Sequence, residues 1–220
     1  MNKNKIIKPC NINFKAFFVL VILIFLSVQL TAQNSLVKEI TAQNIDAISI
    51  DANQIFNISV TTSQTSNIKI TSTLDGEYQN EFQVVVSEKK QTLQLSLEPL
   101  PFHSIPDDKR NAHKVIAATL QLEIPENRTV DIVSDIGSVE VYGQFKSLYI
   151  QLYQGQCYVE ANLETATINT FDGDIKVMTK KASVKAQSNH GEITLDEYAN
   201  ANSIWNLKSI KGNITVAKPD

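Results

Sequence analysis

Cysteine and glycine are both scarce in this sequence. Its 220 residues include two cysteines, Cys10 and Cys157, and seven glycines. Two cysteines cannot form the dense disulfide framework that holds together many small secreted domains. Seven glycines and six prolines also exclude collagen-like and low-complexity chains. With 43% hydrophobic residues, the chain is expected to form one globular domain or two small ones.

An excess of positive charge is absent as well. The chain has 20 Lys+Arg against 23 Asp+Glu, and four of the lysines lie in residues 1–33, where no acidic residue occurs. The remaining residues therefore carry a clear negative net charge. Because nucleic-acid binding requires a basic surface, we expect no nucleic-acid partner.

The single long apolar run lies near the N-terminus. Residues 16–26 read AFFVLVILIFL and follow a lysine-rich leader. This order is typical of a secretory signal, and the run is shorter than the roughly 20 residues of a spanning helix. We predict that residues 1–33 are a signal peptide and that the protein is exported to the periplasm or cell surface. The alternative is an uncleaved anchor, which would be the only contact with a membrane.

Five of the seven glycines recur at a regular spacing in the second half of the chain. Each opens a similar pentapeptide, GSVEV, GQCYV, GDIKV, GEITL or GNITV, and the glycines are Gly137, Gly155, Gly173, Gly191 and Gly212. A period of 18 residues, and 21 in the last case, predicts a solenoid in which these are structural turn glycines. We expect a positive φ at Gly173, whereas Gly143 lies outside the period, so a side chain there is expected to cost less stability.

Each period holds two runs that alternate apolar and polar residues, which predicts two strands with one buried face. Residues 128–220 are therefore predicted to form a β-solenoid whose rungs stack in sequence order. One interior column would hold Val139, Cys157, Ile175, Ile193 and Ile214. Cys157 is thus expected to be a small buried hydrophobe and not a reactive thiol.

Residues 34–127 are rich in alternating runs but lack the period. We predict an antiparallel β-rich portion there, so that the whole chain is all-β. The segment 99–114 is a long irregular loop. Its acidic and histidine side chains could ligate a metal, but the spacings of known zinc sites are missing, so we expect solvated loop residues; they are His103, Asp107, Asp108 and His113.

The repeats resemble those of the bacterial putative adhesin repeat family. The resemblance rests on the G-x-[IVC]-x-[VL] pentapeptides and their preceding strands, as in ATINTFDGDIKV and SIKGNITV, over residues 120–217. It implies an exported β-helical domain, typical of the Bacteroidetes, and brings no catalytic residues with it.

Polar residues around the turn glycines form one candidate site, made of Asp172, Asp174, His190 and Glu192. If consecutive rungs stack, the carboxylates of Asp174 and Glu192 would lie about 5 Å apart. Such a pair could serve acid–base catalysis or hold a divalent cation. Solvated turn residues are the preferred interpretation, since other rungs carry Gln154, Gln156, Lys211 and Asn213 at the equivalent places.

A second candidate site is an outward strip of aromatic and amide side chains, made of Tyr149, Gln151, Tyr153 and Asn169. Tyrosine combines an apolar ring with a hydroxyl, which suits contact with a sugar or a protein.

These patterns predict an exported, non-enzymatic envelope or cell-surface module with an adhesion-like binding role, without cofactor or metal. Its partner would be a surface glycan or an envelope protein. Two alternatives stay open: a carbohydrate-active β-helix enzyme using Asp172, Asp174 and Glu192, and a periplasmic scaffold that docks another protein.

Overall fold

The structure is a computed structural model that describes residues 34–76, 80–101, 117–198 and 201–219. Within these ranges every regular element is a β-strand. The strands of the first half are β1 (Asn34–Thr41), β2 (Ala47–Asp51), β3 (Ile55–Ser63), β4 (Asn67–Asp75), β5 (Phe82–Lys89), β6 (Thr92–Pro99), β7 (Ala117–Pro125) and β8 (Arg128–Ile136). Those of the second half are β9 (Ser138–Gln154), β10 (Cys157–Asn162), β11 (Thr165–Asp172), β12 (Ile175–Met178), β13 (Ala182–Ser188), β14 (Ile193–Leu195), β15 (Ser203–Lys211) and β16 (Ile214–Ala217).

The strands form two sheets that enclose one core, as predicted for a β-solenoid. Sheet A has the order β1-β4-β7-β3-β9-β10-β12-β16-β14. Sheet B has the order β5-β6-β2-β8-β9-β11-β15-β13. Each rung consists of one strand of sheet B followed by one strand of sheet A. The long strand β9 belongs to both, because its first part pairs with β3 and its second part pairs with β8.

The last rung of the sequence is not the last rung of the stack. Strand β15 pairs with β11 and β13, and β16 pairs with β12 and β14. The Gly212 rung (β15 and β16) therefore lies between the Gly173 rung (β11 and β12) and the Gly191 rung (β13 and β14). The prediction that rungs stack in sequence order is wrong at this point.

The side chain of Trp205 gives a physical reason for this order. Trp205 lies on β15 between Ala166 of β11 and Val184 of β13, and it is fully buried. At the end of the stack the same ring would face water, and an aromatic side chain can bury roughly 150–250 Å². The smaller side chains of β13 and β14 occupy the end instead, where Ile193 and Leu195 are each 42% exposed.

The solenoid also extends beyond the repeats visible in the sequence. Strands β2 and β3 form a rung that is parallel to β6 and β7 on one side and to β8 and β9 on the other. The predicted antiparallel pairing is found for β1, β4 and β5, which cover this end of the stack. The stack of rungs thus continues across residue 128.

The core consists of aliphatic columns between the two sheets. Four buried side chains of sheet A form the first column, namely Val139, Cys157, Ile175 and Ile214. The facing column of sheet B is Ile132, Ile150, Ile168 and Leu207. Like residues lie above like because parallel strands pair in register at each rung. Burial of each such side chain contributes about 1.5–3 kcal/mol.

The turn glycines form a ladder at the corner where each rung passes from sheet B to sheet A. Their order along the stack is Gly137, Gly155, Gly173, Gly212 and Gly191. A Cβ at Gly173 would overlap the carbonyl oxygen of Gly155, and a Cβ at Gly212 would overlap that of Gly173. The close approach of neighbouring backbones therefore requires glycine at this corner.

The backbone conformations at two glycines differ from expectation. Gly173 is not in the positive-φ region, so its requirement is the close contact alone. Gly143, where a side chain was expected to cost less, has a φ of 121° and lies where β9 passes from sheet A to sheet B. A Cβ there would overlap the hydroxyl of Thr62. A side chain at Gly143 therefore meets both a strained backbone and a close contact, which the sequence period does not indicate.

Buried hydroxyl groups satisfy carbonyls at the same corner. Thr170 Oγ1 donates to the carbonyl of Gly173 at 2.8 Å, and Ser209 Oγ donates to the same oxygen at 3.2 Å. Ser188 Oγ donates to the carbonyl of Gly212 at 2.7 Å. The corner is thus polar inside and needs no water to satisfy these groups.

Two predicted features lie outside the described residues. They are the signal peptide at residues 1–33 and the loop side chains His103, Asp107, Asp108 and His113. Among the residues that are described, no helix is long and apolar enough to cross a membrane.

We expect Gly173→Ala to lower the free energy of unfolding by about 2–3 kcal/mol, because the added methyl group has no space next to Gly155. Urea unfolding monitored by circular dichroism measures this change. Lys176→Ala is the matched control, since its side chain is exposed on the same rung and should change stability by less than about 0.5 kcal/mol. Equal stability of the two variants would contradict the glycine ladder.

Candidate binding surface

The outer face of sheet B brings together the predicted aromatic and amide residues. Tyr149, Gln151 and Tyr153 alternate along β9, and Asn169 lies directly beside Gln151 on β11. The hydroxyl of Tyr149 donates to Gln151 Oε1 at 2.6 Å, which fixes both side chains. These four residues therefore form one continuous surface, as the sequence predicted.

An aromatic pair dominates this surface. The rings of Tyr153 and Phe171 have centroids 4.8 Å apart and planes inclined by 6°, so they stack face to face across β9 and β11. Both remain open to solvent, at 59% exposure for Tyr153 and 39% for Phe171. Aromatic rings that are both stacked and exposed are an available contact surface for a ligand.

Phe171 was not predicted as a site residue, although the sequence contains a signal for it. It follows Tyr153 by 18 residues, which is the repeat period, and therefore occupies the equivalent position on the next rung. Lys211 holds it from the other side, with Nζ 5.5 Å from the ring centroid. Lys211 Nζ also lies 3.9 Å from an oxygen of Asp172. The contact between Lys211 and Asp172 thus helps to hold the Tyr153–Phe171 pair in position.

A shallow groove of about 400 Å³ runs along this surface. Its polar lining comes from four neighbouring strands, with Asp135 on β8, Gln151 on β9, Asn169 on β11 and Lys208 on β15. Its apolar lining includes Val133 and the two stacked rings. The surface from β8 to β15 around the Tyr153–Phe171 pair is called the aromatic face below.

The turn residues do not form the predicted pair of carboxylates. Asn213 of the inserted rung lies between Asp174 and Glu192: its backbone N–H donates to Asp174 Oδ1 at 2.7 Å, and its Oδ1 accepts from the backbone N–H of Glu192 at 2.8 Å. Asp174 and Glu192 are therefore two strand spacings apart, about 9–10 Å. The predicted 5 Å separation is wrong because the Gly212 rung is inserted there.

His190 lies near Asp174 at the edge of a second groove, which Lys211 and Asn213 also line. Asp172 contacts Lys211 and not another carboxylate. Within the described ranges, no group of three or more His, Cys, Asp or Glu side chains is arranged to hold a metal ion. Of the four turn side chains, Asp174 accepts a hydrogen bond from backbone and Asp172 contacts Lys211.

Cys157 is the described thiol, and it lies in the core as predicted. It is 2% exposed between Val139 and Ile175. Burial raises the pKa of its thiol to about 12, because the interior does not solvate a thiolate. The nucleophilic form is therefore absent at neutral pH.

Comparison with known proteins places this architecture in a recognised group. Residues 45–218 match the model of the Toastrack DUF4097 family. The matched range begins just before β2 and ends just after β16. No curated protein matches the chain in sequence.

The chain also matches solved structures. A putative cell adhesion protein from Clostridium sporogenes superposes with a TM-score of 0.59 at 14% identity, over 85% of this chain and 100% of that one. A putative adhesin from Bacteroides fragilis gives 0.35 at 13% identity, over 84% and 97%. A putative adhesin from Parabacteroides merdae gives 0.28 at 13% identity, over 85% and 97%. At these identities the likeness concerns the fold.

We expect the buried thiol of Cys157 to make the protein less stable at alkaline pH. In the unfolded chain the thiol loses its proton near its ordinary pKa of 9.0, whereas the folded pKa is about 12. The contribution to stability is complete below pH 9 and is lost as the pH rises toward 12, by about 1.4 kcal/mol at pH 10.

Urea unfolding of the wild type and of Cys157→Ala at pH 7.5 and pH 10 measures this effect. The loss of stability between the two pH values should be smaller in the variant, since the other titrating groups are unchanged. An identical loss in both proteins would contradict the burial of a neutral thiol.

Proposed function

This chain belongs to the Toastrack DUF4097 family, and we propose that it serves as an exported, non-enzymatic binding module of the cell envelope. The ligand that we propose is a glycan, bound by the aromatic face of sheet B. The similar Clostridium sporogenes structure bears the name of a putative cell adhesion protein, which agrees with a binding role at the cell surface. The basic and apolar leader of residues 1–26 supports export.

The observation that carries the proposal is the exposed stack of Tyr153 and Phe171. A pyranose ring has an apolar face of C–H groups that packs against an aromatic ring, and Tyr153 offers a ring that is 59% exposed. The Phe171 ring stacks on the Tyr153 ring, and Lys211 Nζ lies over the Phe171 ring. The stack therefore keeps the Tyr153 ring in position for a ligand.

Polar groups around the stack supply the hydrogen bonds that a sugar requires. The amides of Gln151 and Asn169 both donate and accept, and the carboxylate of Asp135 accepts. Apolar contact with a few convergent polar groups is the usual composition of a ligand site. The amides of Gln151 and Asn169 occupy equivalent positions on successive rungs, which also suits a ligand with repeated units, such as a polysaccharide.

The rigid backbone below the aromatic face favours binding. Every strand that carries these residues is paired on both sides, and the buried columns lie directly beneath them. A site of this kind is preorganised, so little conformational entropy is lost on binding.

A glycan array tests the proposal with the compact unit of residues 33–220. We expect Tyr153→Ala and Phe171→Ala each to weaken binding about tenfold, because each removes part of the ring stack. Ile204→Ala is the control, since Ile204 is a 51% exposed apolar side chain near the other end of the same face. Failure of the wild type to bind any glycan would contradict the proposal, and so would equal losses in all three variants.

The turn carboxylates give a separate prediction. We expect the double variant Asp174→Asn, Glu192→Gln to bind the same glycan within about twofold of the wild type, because both residues lie outside the aromatic face. Neither protein should shorten a bound polysaccharide, as measured by size-exclusion chromatography after prolonged incubation. Cleavage by the wild type that the double variant lacks would contradict a non-enzymatic role.

A further inference from the structure

Each of the two sheets has two edge strands, which pair with a neighbouring strand on one side only. Among the described residues they are β1 and β14 in sheet A, and β5 and β13 in sheet B. An edge strand presents a row of backbone N–H and C=O groups with which a further strand can pair. Proteins commonly protect such edges with charged side chains or by keeping the strand short.

Three of the four edges are protected in these ways. On β1, the exposed Lys38 lies opposite the buried Ile70, so its charge is on the side of the sheet that faces the core. On β13, the exposed Lys185 is the central residue of the strand. Strand β14 has only three residues. A strand added at any of these edges would meet a lysine or find few backbone groups to pair with.

Strand β5 has none of these protections. It is eight residues long, and its residues from Phe82 to Ser87 carry no charge. Its pairing with β6 is regular and contains no bulge. Within the described ranges, no backbone hydrogen bond is made along its outer edge. The outer edge of β5 is therefore the one most suited to accept another strand.

The side chains of β5 that face the core are incompletely buried. Phe82, Val84 and Val86 pack against the core, but each is only half-buried. On the paired strand β6, Leu93 and Leu95 are 1% and 2% exposed. The difference arises because β6 has a strand on both sides and β5 has a strand on one. A further strand beside β5 would remove the remaining apolar surface from water.

The sequence of β5 is complementary to a second copy of itself. Two β5 strands can pair antiparallel about a twofold axis that passes beside Val84 and is normal to the sheet. In this register Phe82 of each copy lies opposite Val86 of the other, and the two Val84 residues lie opposite each other. The half-buried apolar side chains of both copies then form one continuous row that extends the core.

The charged residues at the two ends of β5 agree with the same register. Glu81 directly precedes the strand and Lys89 is its last residue. Neither forms an ion pair with another described residue. In the paired register Glu81 lies opposite Ser87 of the other copy and diagonal to its Lys89, a separation that long side chains can span. Because the arrangement is symmetric, two such pairs of opposite charge form.

We propose that the protein forms a twofold-symmetric dimer in which the β5 strands of two copies pair antiparallel and make sheet B continuous. An axis normal to the sheet leaves the outer face of sheet B on the same side in both copies. The two aromatic faces then point in the same direction, which suits simultaneous contact with one long ligand. The dimer itself does not depend on the proposed glycan.

Sedimentation equilibrium of residues 33–220 without ligand tests the proposal. We expect dimers at protein concentrations of about 0.1 mM and above. Val85→Lys should raise the dissociation constant at least about tenfold, because the two Val85 side chains are diagonal neighbours across the axis and two lysines would repel each other there. Val85 lies on the outer side of the sheet, beside Ser96 of β6, so the core is not altered.

A charge exchange tests the register. Lys89→Glu should raise the dissociation constant about fivefold, and adding Glu81→Lys to the same chain should restore it to within about twofold. The two residues lie at opposite ends of one strand, so they can compensate each other only between copies. Lys185→Glu on β13 is the matched control, because it makes the same change in net charge and should alter the constant by less than about twofold.

Three results would overturn the proposal. The first is a wild type that stays monomeric up to about 0.5 mM. The second is a dimer that Lys185→Glu weakens as much as Lys89→Glu does, and the third is a charge exchange that does not restore the dimer. Thermal unfolding confirms that each variant is folded, and the charge exchange decides the question if Val85→Lys does not fold. Since no glycan is present, the result is independent of the glycan array.

Discussion

The close approach of stacked backbones at the glycine corner is the constraint on which the rest of the structure depends. At this corner each rung rests directly on the carbonyl of its neighbour, with no space for a side chain. The contact fixes the register in which β9, β10, β11, β12 and β16 pair with their neighbouring strands. Once the register is fixed, successive residues of each strand face the core and solvent in turn. Both outward faces therefore inherit their geometry from these glycines.

Much of the fold could be predicted because the sequence repeats show which residues are equivalent. The columns that contain Val139 and Ile132 follow directly from the period and the alternation. The structure confirms the burial of Val139, Cys157, Ile175 and Ile214, whereas Ile193, predicted in the same column, is exposed at the end of the stack. Equivalence does not establish adjacency, however. The pentapeptides at Gly191 and Gly212 are alike, so nothing in them indicates which one stacks on Gly173. The burial of Trp205 depends on the assembled core, and a repeat pattern does not contain that information.

The candidate sites show the same limit. Tyr149, Gln151 and Asn169 were found because outward positions alternate along single strands, and their neighbours lie one period away. The pairing of Asp174 with Glu192 failed because it relied on stacking in sequence order, and Asn213 lies between them. The constraint on Gly143 was missed for a related reason, since the period does not show that β9 passes from one sheet to the other there. The alternation of residues along a single strand thus predicted side-chain positions better than the assumption that rungs stack in sequence order.

The insertion of a late rung between two earlier ones limits how such a chain can lengthen. Strands β13 and β14 join the stack only through β15 and β16, so the C-terminal end is complete only when the last strands are in place. At the other end, β6 and β7 join the later rungs only through β2 and β3. Each end of the stack thus consists of two rungs whose spatial order is the reverse of their order in the chain. Such a pair is called interlocked here. A duplicated repeat would therefore fit in the middle of the stack, between Gly137 and Gly173, where chain order and spatial order agree, and a copy added at either end would displace an interlocked pair.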